Sequence, residues 1–401
     1  MPALRATKRA MAIHIRGGTL FAPEALGPKD LLVAGGRIEA VTEPGAIQPG
    51  GFPVEVLDAQ GLTVLPGFID PHVHILGGGG EGGPATRAPE IRVEDIVRSG
   101  VTTLIGCLGT DGVTRHPASL LAKARALDIE GVSTYVFVGS YEVPVRTVTG
   151  SVRSDLVLID KVIGAGEIAI SDHRSSQPSF EEIARLAAEC RVGGLLGKKA
   201  GVLHFHLGDG ARRLDYLWRL LRETEIPPSQ VIPTHVNRNR ALLEDALAYA
   251  AAGGFIDLTA GVDPENETDD DVSVETAVRL GLERGVPIER IMVSSDSHGS
   301  LPVFDKAGRL VGLTVAAQDT LLLKFRSLIR RGILAPDQAA RLFAANPAVY
   351  YKLEGKGRVA PGADADLVLF DETRVLRTVI AKGRVLMRDG KLLARGTFSA
   401  P

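Results

Sequence analysis

The sequence of 401 residues contains only two cysteines, Cys107 and Cys190, so it has no disulfide framework. We expect both thiols to be buried as small apolar side chains and the protein to be cytoplasmic. No stretch approaches the roughly 20 apolar residues of a membrane span. The basic residues 1–10 precede no apolar run of signal-peptide length, and we interpret them as a loose leader. With 46 basic and 48 acidic residues, the chain has no surplus of positive charge for a nucleic-acid partner.

The two ends of the chain differ from its middle in their sequence pattern. Short β-type runs punctuated by glycine and proline occupy residues 11–65 and the stretch after about 356. They predict one small β-sandwich domain built from both termini, residues 1–65 and 355–401. The remaining residues, 66–354, are numerous enough for a barrel of roughly 250 residues.

The middle of the chain alternates strand-like and helix-like segments. Eight strands, each followed by a helical stretch, predict parallel pairing with right-handed crossovers and therefore a (β/α)8 TIM barrel. The predicted strands are 64–74, 101–108, 133–141, 167–173, 201–208, 230–236, 253–260 and 290–296.

Side chains that can bind metal lie on five of these strands. They are His72, His74, Glu167, His206, His235 and Asp296. Active-site groups of such barrels lie at the C-terminal ends of the strands, so we expect them to meet there. Their chemistry suits two divalent ions per chain, with zinc expected and cobalt or manganese also compatible. The ions would share a bridging hydroxide, and Asp296 would accept its proton and deliver it to the leaving nitrogen.

The other histidines need separate interpretations. His204 and His206 are two residues apart and face the same side of a strand, so parity alone does not separate them. His206 is nearer the C-terminal end, which favours it as the ligand. His14 and His116 are interpreted as structural or peripheral, as is His298, for which substrate contact stays an alternative.

The motifs around these residues resemble a known family. The His-x-His after Gly67-Phe68-Ile69-Asp70 is typical of the amidohydrolase superfamily. Six further segments resemble isoaspartyl (β-aspartyl) dipeptidases, and the resemblance covers nearly the whole chain. They are GGGGEGGPATR (77–87), CLGTDG (107–112), GSYEVP (139–144), AISDHRS (169–175), THVNRN (234–239) and SSDSHGS (294–300).

The resemblance implies hydrolysis of isoaspartyl dipeptides to aspartate and an amino acid, by a homo-oligomer, an octamer in this family. Glu81 then binds the free α-amino group, and Tyr141 polarises the carbonyl of the bond to be cut. Arg174 and Arg238 bind the substrate carboxylates. Minor substrate contacts fall on Gly79, Thr110 and Ser300.

The fourth strand departs from the family pattern. Glu167 stands where the family commonly has a carboxylated lysine, and the preceding stretch is one residue longer. Lys161, six residues earlier, would lie about 20 Å away along an extended strand, near the wrong end of the barrel. We therefore predict that Glu167 bridges the metals directly, helped by a bulge before it. The alternative is that Glu167 stands behind a mononuclear site.

Two other functions stay open. One is an amidohydrolase acting on another amide, such as an N-acyl amino acid or a cyclic imide, although Glu81, Arg174 and Arg238 argue against it. The other is a scaffold without activity, which would be expected to have lost metal ligands.

Overall fold

The computed structural model describes residues 12–48, 50–51, 53–304 and 310–399. The predicted leader, residues 1–10, lies outside these ranges. Nineteen strands and ten α-helices form within them. No helix in the described part of the chain combines the length and hydrophobicity needed to cross a membrane.

The strands fall into groups near the two ends and in the middle of the chain. They are β1 (Ala12–Phe21), β2 (Ala25–Ala34), β3 (Arg37–Thr42), β4 (Val54–Asp58), β5 (Thr63–Pro66), β6 (Phe68–Val73), β7 (Val101–Gly106), β8 (Ser133–Val138), β9 (Val162–Ile170), β10 (Val202–Leu207), β11 (Val231–Thr234), β12 (Ile256–Thr259), β13 (Ile291–Ser294), β14 (Ser300–Phe304), β15 (Leu310–Val315), β16 (Leu367–Phe370), β17 (Leu376–Ala381), β18 (Arg384–Arg388) and β19 (Lys391–Leu392).

The helices all lie in the middle of the chain. They are α1 (Val93–Arg98), α2 (Pro117–Glu130), α3 (Val152–Leu158), α4 (Phe180–Leu196), α5 (Asp215–Glu223), α6 (Arg240–Ala251), α7 (Val274–Glu283), α8 (Thr320–Arg330), α9 (Pro336–Ala340) and α10 (Asn346–Tyr350).

Both ends of the chain build one sheet, in the order β19-β18-β17-β16-β5-β1-β2-β3, with β4 also paired to β1. The register of β1 shifts at Gly17, whose φ is +72°. The first half of β1 pairs with β4 and the second half with β5. The sheet encloses its own apolar core, which includes Ile15, Leu31 and Leu367. The predicted small β domain from both termini is confirmed as this nine-stranded sheet.

Strands β6 to β13 confirm the (β/α)8 barrel. A parallel ladder joins β6 to β11 in order, and a second joins β12 to β13. A parallel bridge between Val73 and Ser297 links the two ends of the series. Thr234 on β11 and Ser294 on β13 both donate hydrogen bonds to the buried Asp257 on β12, at 2.5 and 2.6 Å. A helix follows each strand, α1 to α8, and the β14–β15 hairpin lies between β13 and α8.

The prediction of a single strand at 64–74 is wrong. The segment forms β5 in the small sheet and β6 in the barrel, and Gly67 separates them. The Gly67 amide donates to the carbonyl of Asp366 at 2.8 Å. A Cβ at Gly67 would lie 2.3 Å from the Thr102 hydroxyl, so the chain passes between the two sheets where only glycine fits.

Other predicted strand limits also differ, and three of the differences affect site residues. Strand β9 begins five residues earlier than predicted, so Glu167 lies within it, while Asp172 lies in the turn that follows. Strands β11 and β13 end before His235 and Asp296. Both residues have positive φ angles, +59° and +53°, and a strand does not continue through that conformation.

A buried lysine ties the barrel to the small domain. Lys356 Nζ donates to Asp366 at 2.6 Å and to the Ser133 hydroxyl at 2.7 Å, and it lies 2.9 Å from Asp364. Ser133 begins β8, and Asp366 immediately precedes β16. Because these charges are enclosed, each depends on its partner being in place.

Asp257 makes the stability of the barrel depend on pH. Burial raises the pKa of Asp257 to about 7, although the hydroxyls of Ser294 and Thr234 favour its ionised form. An unfolded aspartate titrates near pH 4, so the folded chain holds an extra proton between about pH 4 and pH 7. The stability contributed by the protonated form is therefore fully present below about pH 4 and is lost as the pH rises through 7.

We expect Asp257→Asn to flatten the pH dependence of the unfolding free energy, because the amide does not titrate. Between pH 5 and pH 7 the effect should be of the order of 3 kcal/mol, at about 1.4 kcal/mol per pH unit. Denaturant unfolding of chelator-treated wild type and variant at pH 5, 6, 7 and 8 measures it. Equal slopes for the two proteins would show that Asp257 does not titrate in this range.

Candidate metal centre

Glu167 lies at the middle of the site because of an irregularity in β9. Ala165 pairs with Leu203 and Ile168 with Phe205, so β9 has one residue more than β10 at this point. Gly166 occupies the bulge with φ +149°, and a Cβ there would lie 2.6 Å from the His204 carbonyl. The extra residue thus lets β9 turn the Glu167 carboxylate into the barrel.

Four imidazoles surround this fully buried carboxylate. His206 Nδ1 lies 3.0 Å from Glu167 Oε2, and the Nε2 atoms of His72 and His235 each lie 3.5 Å from the same oxygen. His74 Nε2 lies 3.5 Å from Oε1. Imidazoles therefore adjoin both carboxylate oxygens of Glu167, the residue predicted to bridge the metals.

Asp296 completes the ring from the turn after β13. Its Oδ1 lies 3.0 Å from His74 Nε2 and 3.4 Å from His72 Nε2, and its Oδ2 lies 4.0 Å from His235 Nδ1. The buried Asp70 holds this turn, accepting hydrogen bonds from the Ser295 amide at 3.1 Å and the Ser295 hydroxyl at 2.5 Å.

The donor atoms of this cluster fit a bound metal. His72 Nε2, His235 Nε2, Glu167 Oε1 and Asp296 Oδ1 are buried without a hydrogen-bond partner. Buried polar atoms are rarely left unpaired, so such a convergence calls for a ligand. Three overlapping groups of side chains place their donor atoms within 4.8 Å of one another: His72, His74, Cys107 and Glu167; His72, His235 and Asp296; Glu167, His206 and His235. Imidazoles and carboxylates together are the ligands of a divalent metal site.

The pKa shifts within the cluster also favour a bound cation. Burial favours the neutral acid, yet nearby imidazoles outweigh it and hold the pKa values of Glu167 and Asp296 well below their usual range. Burial opposes protonation of His72 and His74, but the charge of Cys107 leads the interactions that raise both pKa values. The ionised groups thus draw positive charge to these nitrogens, where protons and a metal ion compete.

Each of the four imidazoles has a different neighbour at its other ring nitrogen. His72 Nδ1 lies 2.8 Å from His204 Nε2, and His206 Nε2 lies 3.0 Å from Asp172 Oδ2. His235 Nδ1 lies 2.7 Å from the Thr259 hydroxyl, and His74 Nδ1 lies 3.9 Å from Cys107 Sγ. Such neighbours fix the ring orientation and tautomer of a metal-binding histidine.

None of these four neighbours was predicted for the site. Cys107 is buried as expected, but it also adjoins His74; its position one residue past β7 was the available signal. Asp172 stands in the AISDHRS segment, two residues past β9. His204 is enclosed behind His72 and stacks on Phe137, with ring centroids 4.7 Å apart. Burial and the charge of His72 lower the pKa of His204 well below its usual value, so it is a neutral partner.

The residues with expected substrate contacts follow the C-terminal ends of barrel strands, as the cluster residues do. Thr110 donates to Glu81 Oε1 at 2.7 Å, and Arg174 NH1 lies 3.5 Å from the same oxygen. A Cβ at Gly79 would lie 2.9 Å from Ser300 Cβ, so these two residues are adjacent. Arg238 Nε is buried without a hydrogen-bond partner.

Tyr141 lies between the metal-binding cluster and these residues. Its hydroxyl is 2.8 Å from His206 Nδ1, and the Arg174 guanidinium lies 5.5 Å from the ring centroid. Burial and the charge of Glu167 raise the pKa of Tyr141 well above its usual value, so the hydroxyl keeps its proton and can donate.

The remaining residues considered from the sequence lie apart from this ring. His14 is buried in β1, 3.0 Å from Asp30. His298 Nδ1 lies 2.8 Å from the carbonyl of Pro89. Lys161 forms an ion pair with Asp128 and donates to the carbonyl of Thr134 at 2.9 Å, just before β9 begins.

Two family models with the description "Amidohydrolase family" match the chain, at residues 55–111 and 241–386. The chain is 45% identical to a β-aspartyl dipeptidase from Fervidobacterium islandicum AW-1, whose crystal structure is in complex with a β-Asp-Leu dipeptide. That superposition has a TM-score of 0.90 and covers 96% of this chain and 98% of the other. A second crystal structure of a β-aspartyl dipeptidase from this organism gives 43% identity and a TM-score of 0.87, with 95% and 98% covered.

A dihydroorotase from Pelotomaculum thermopropionicum is 27% identical over 90% of this chain and 89% of its own length. The chain therefore belongs to the amidohydrolase superfamily and, within it, to the isoaspartyl (β-aspartyl) dipeptidase family.

The contact between His204 and His72 gives a testable role for a residue behind the cluster. We expect His204→Phe to weaken metal retention by about 10- to 100-fold, because His72 Nδ1–H loses its acceptor. His204→Gln, which places an oxygen near the lost nitrogen, should retain more metal. Elemental analysis after dialysis against a graded series of chelator concentrations measures both. Equal retention by wild type and the Phe variant would contradict this role.

Proposed function

We propose that the chain hydrolyses isoaspartyl (β-aspartyl) dipeptides to aspartate and a free amino acid. The feature that carries the proposal is the set of charged side chains that follow the ends of barrel strands: one carboxylate, Glu81, and two guanidiniums, Arg174 and Arg238. An isoaspartyl dipeptide presents one α-amine and two carboxylates, which is the complementary pattern. The 45% identity to a β-aspartyl dipeptidase supports the same substrate.

Each of these groups suits one part of such a substrate. Glu81 binds the α-ammonium, and Thr110 holds the Glu81 carboxylate in place through its 2.7 Å hydrogen bond. Arg174 and Arg238 bind carboxylates, for which the planar fork of arginine is well shaped. Gly79 and Ser300 give minor contacts.

His72, His74, Glu167, His206, His235 and Asp296 would hold the metal. We propose two ions, with zinc as the metal and Glu167 between them. Divalent metal at such a site lowers the pKa of water and polarises a carbonyl oxygen. The four unpartnered donor atoms of the cluster support this assignment.

Tyr141 and Asp296 have roles in the reaction itself. Tyr141 donates its hydroxyl proton in a hydrogen bond to the carbonyl oxygen of the bond to be cut, and so stabilises the negative charge that develops there. Asp296 accepts a proton from the attacking water and passes it to the leaving nitrogen. Its pKa lies well below the usual range, so it is ionised and ready to accept.

The proposal also covers the location and the oligomeric state of the enzyme. The two free, buried cysteines are compatible with a cytoplasmic protein. We propose a homo-oligomer, an octamer by its resemblance to the family, acting on a small dipeptide.

A substrate panel tests the function. We expect turnover of β-Asp-Leu and little or none of α-Asp-Leu, hydantoin or N-acetyl amino acids, because only the first presents the amine and both carboxylates in the required arrangement. Release of free amino acid, followed by chromatography, measures it. Hydrolysis of hydantoin or N-acetyl amino acids without that of β-Asp-Leu would favour the alternative amidohydrolase activity, while no metal and no turnover would favour a scaffold.

The bridging role of Glu167 has its own test. We expect two zinc ions per wild-type chain, bound equally well in buffer with and without bicarbonate, because no carboxylated lysine is needed. Glu167→Ala should bind at most one ion, and Glu167→Gln, which keeps the shape and removes the charge, should also be impaired. Elemental analysis of purified proteins measures this. One ion per chain, unaffected by Glu167→Ala, would end the bridging hypothesis.

A further inference from the structure

Asp172 joins a proposed metal ligand to a proposed substrate contact. Its Oδ2 lies 3.0 Å from His206 Nε2 and accepts from Arg174 NH2 at 2.7 Å. Its Oδ1 accepts from Arg174 Nε at 3.0 Å and from the Arg174 amide at 2.7 Å. The carboxylate therefore holds the guanidinium by two bonds while it also meets the imidazole.

The turn that carries Asp172 keeps this carboxylate in place. The Ser175 amide and the Gln177 side-chain amide donate to the Asp172 carbonyl, at 3.2 and 3.0 Å. Asp172 is 6% exposed. A buried carboxylate whose main-chain carbonyl is held by two hydrogen bonds has little freedom to release one partner and keep the other.

Three groups lie near His206 Nε2: Asp172 Oδ2 at 3.0 Å, Arg174 NH2 at 3.2 Å and the Tyr141 hydroxyl at 3.3 Å. The nearest of them, the carboxylate, can only accept a proton, and its contact decides which nitrogen of His206 is available to a metal. Nδ1 faces Glu167 Oε2 at 3.0 Å and is thus the nitrogen on the side of the cluster. A neutral imidazole carries one proton, so Nδ1 has a free lone pair only when the proton is on Nε2. A carboxylate at Nε2 accepts that proton in a hydrogen bond and stabilises this tautomer.

Arg174 makes the arrangement compatible with the other charges. Glu167 and Asp296 are already two buried carboxylates, and a third next to His206 would be unfavourable without a partner. The guanidinium neutralises Asp172, so Asp172 can orient His206 without adding net negative charge.

We propose that Asp172 is a positioning residue that selects the metal-binding tautomer of His206 and, through the same carboxylate, sets the position of Arg174. The substrate part of this inference rests on the proposed function, since Arg174 is assigned to a substrate carboxylate there. The metal part does not depend on the substrate.

Zinc binding without substrate tests the metal part. We expect Asp172→Asn to weaken the binding of one of the two zinc ions by about 10- to 100-fold, because the amide can donate to Nε2 and favour the wrong tautomer. Competition of the full-length, metal-depleted protein with a chromophoric chelator for added Zn²⁺ measures the affinity. Circular dichroism of the metal-depleted protein checks folding, and Asp172→Ala gives the same measurement if the Asn variant does not fold.

Arg174→Lys is the matched control. It removes the planar guanidinium but keeps a positive charge beside the Asp172 carboxylate, so zinc affinity should stay within about threefold of wild type, well short of the loss expected when the partner of a metal-binding histidine is removed. In the same variant the KM for β-Asp-Leu should rise. Zinc affinity lost in the Asp172 variants and kept in Arg174→Lys supports the inference. Wild-type zinc affinity in the Asp172 variants, or an equal loss in Arg174→Lys, would overturn it. An absence of dipeptide turnover in the wild type would instead count against the proposed function alone.

Discussion

The enclosed carboxylate of Glu167 is the constraint on which the rest of the site depends. A carboxylate without exposure to water is costly unless positive charge or donors surround it, and four imidazoles do so here. The strand must therefore bring the carboxylate to the level of the imidazoles, which the bulge at Gly166 allows. The same attraction that holds the imidazoles makes the cluster receptive to divalent metal.

The proposed ligands that lie on turns are held in place by other side chains. His235 and Asp296 both follow a strand with a positive φ, a conformation that persists only when the surroundings enforce it. Asn237 does this after β11, since it bonds to the amide and carbonyl of Thr259 and to the carbonyl of Val272. Asp70 does it after β13 through Ser295. Part of the polar interior of the barrel thus supports the geometry of the cluster.

The sequence predicts the eight-stranded barrel and the residues that converge at its C-terminal end, because strand periodicity and topology bring those ends together. It does not predict the break at Gly67, since the apolar pattern runs through the segment and the change of sheet depends on contact with Thr102 and Asp366. The two-residue spacing places His204 and His206 on one face of the strand, but it does not tell which of them lies deeper in the barrel. Only the packed barrel shows that His204 stands behind His72, because that requires a distance between two strands.

The four imidazoles differ in the group that contacts the ring nitrogen facing away from the cluster. His72 meets a neutral imidazole, so it gains orientation without charge, whereas His206 meets a carboxylate. A carboxylate there increases the basicity of Nδ1 and so its strength as a ligand. The guanidinium of Arg174 limits that effect for as long as it remains paired with Asp172. On the proposed function, a substrate carboxylate bound to Arg174 would share its positive charge, and Asp172 would then act more strongly on His206. The proposed substrate contact and the proposed metal ligand thus share one carboxylate.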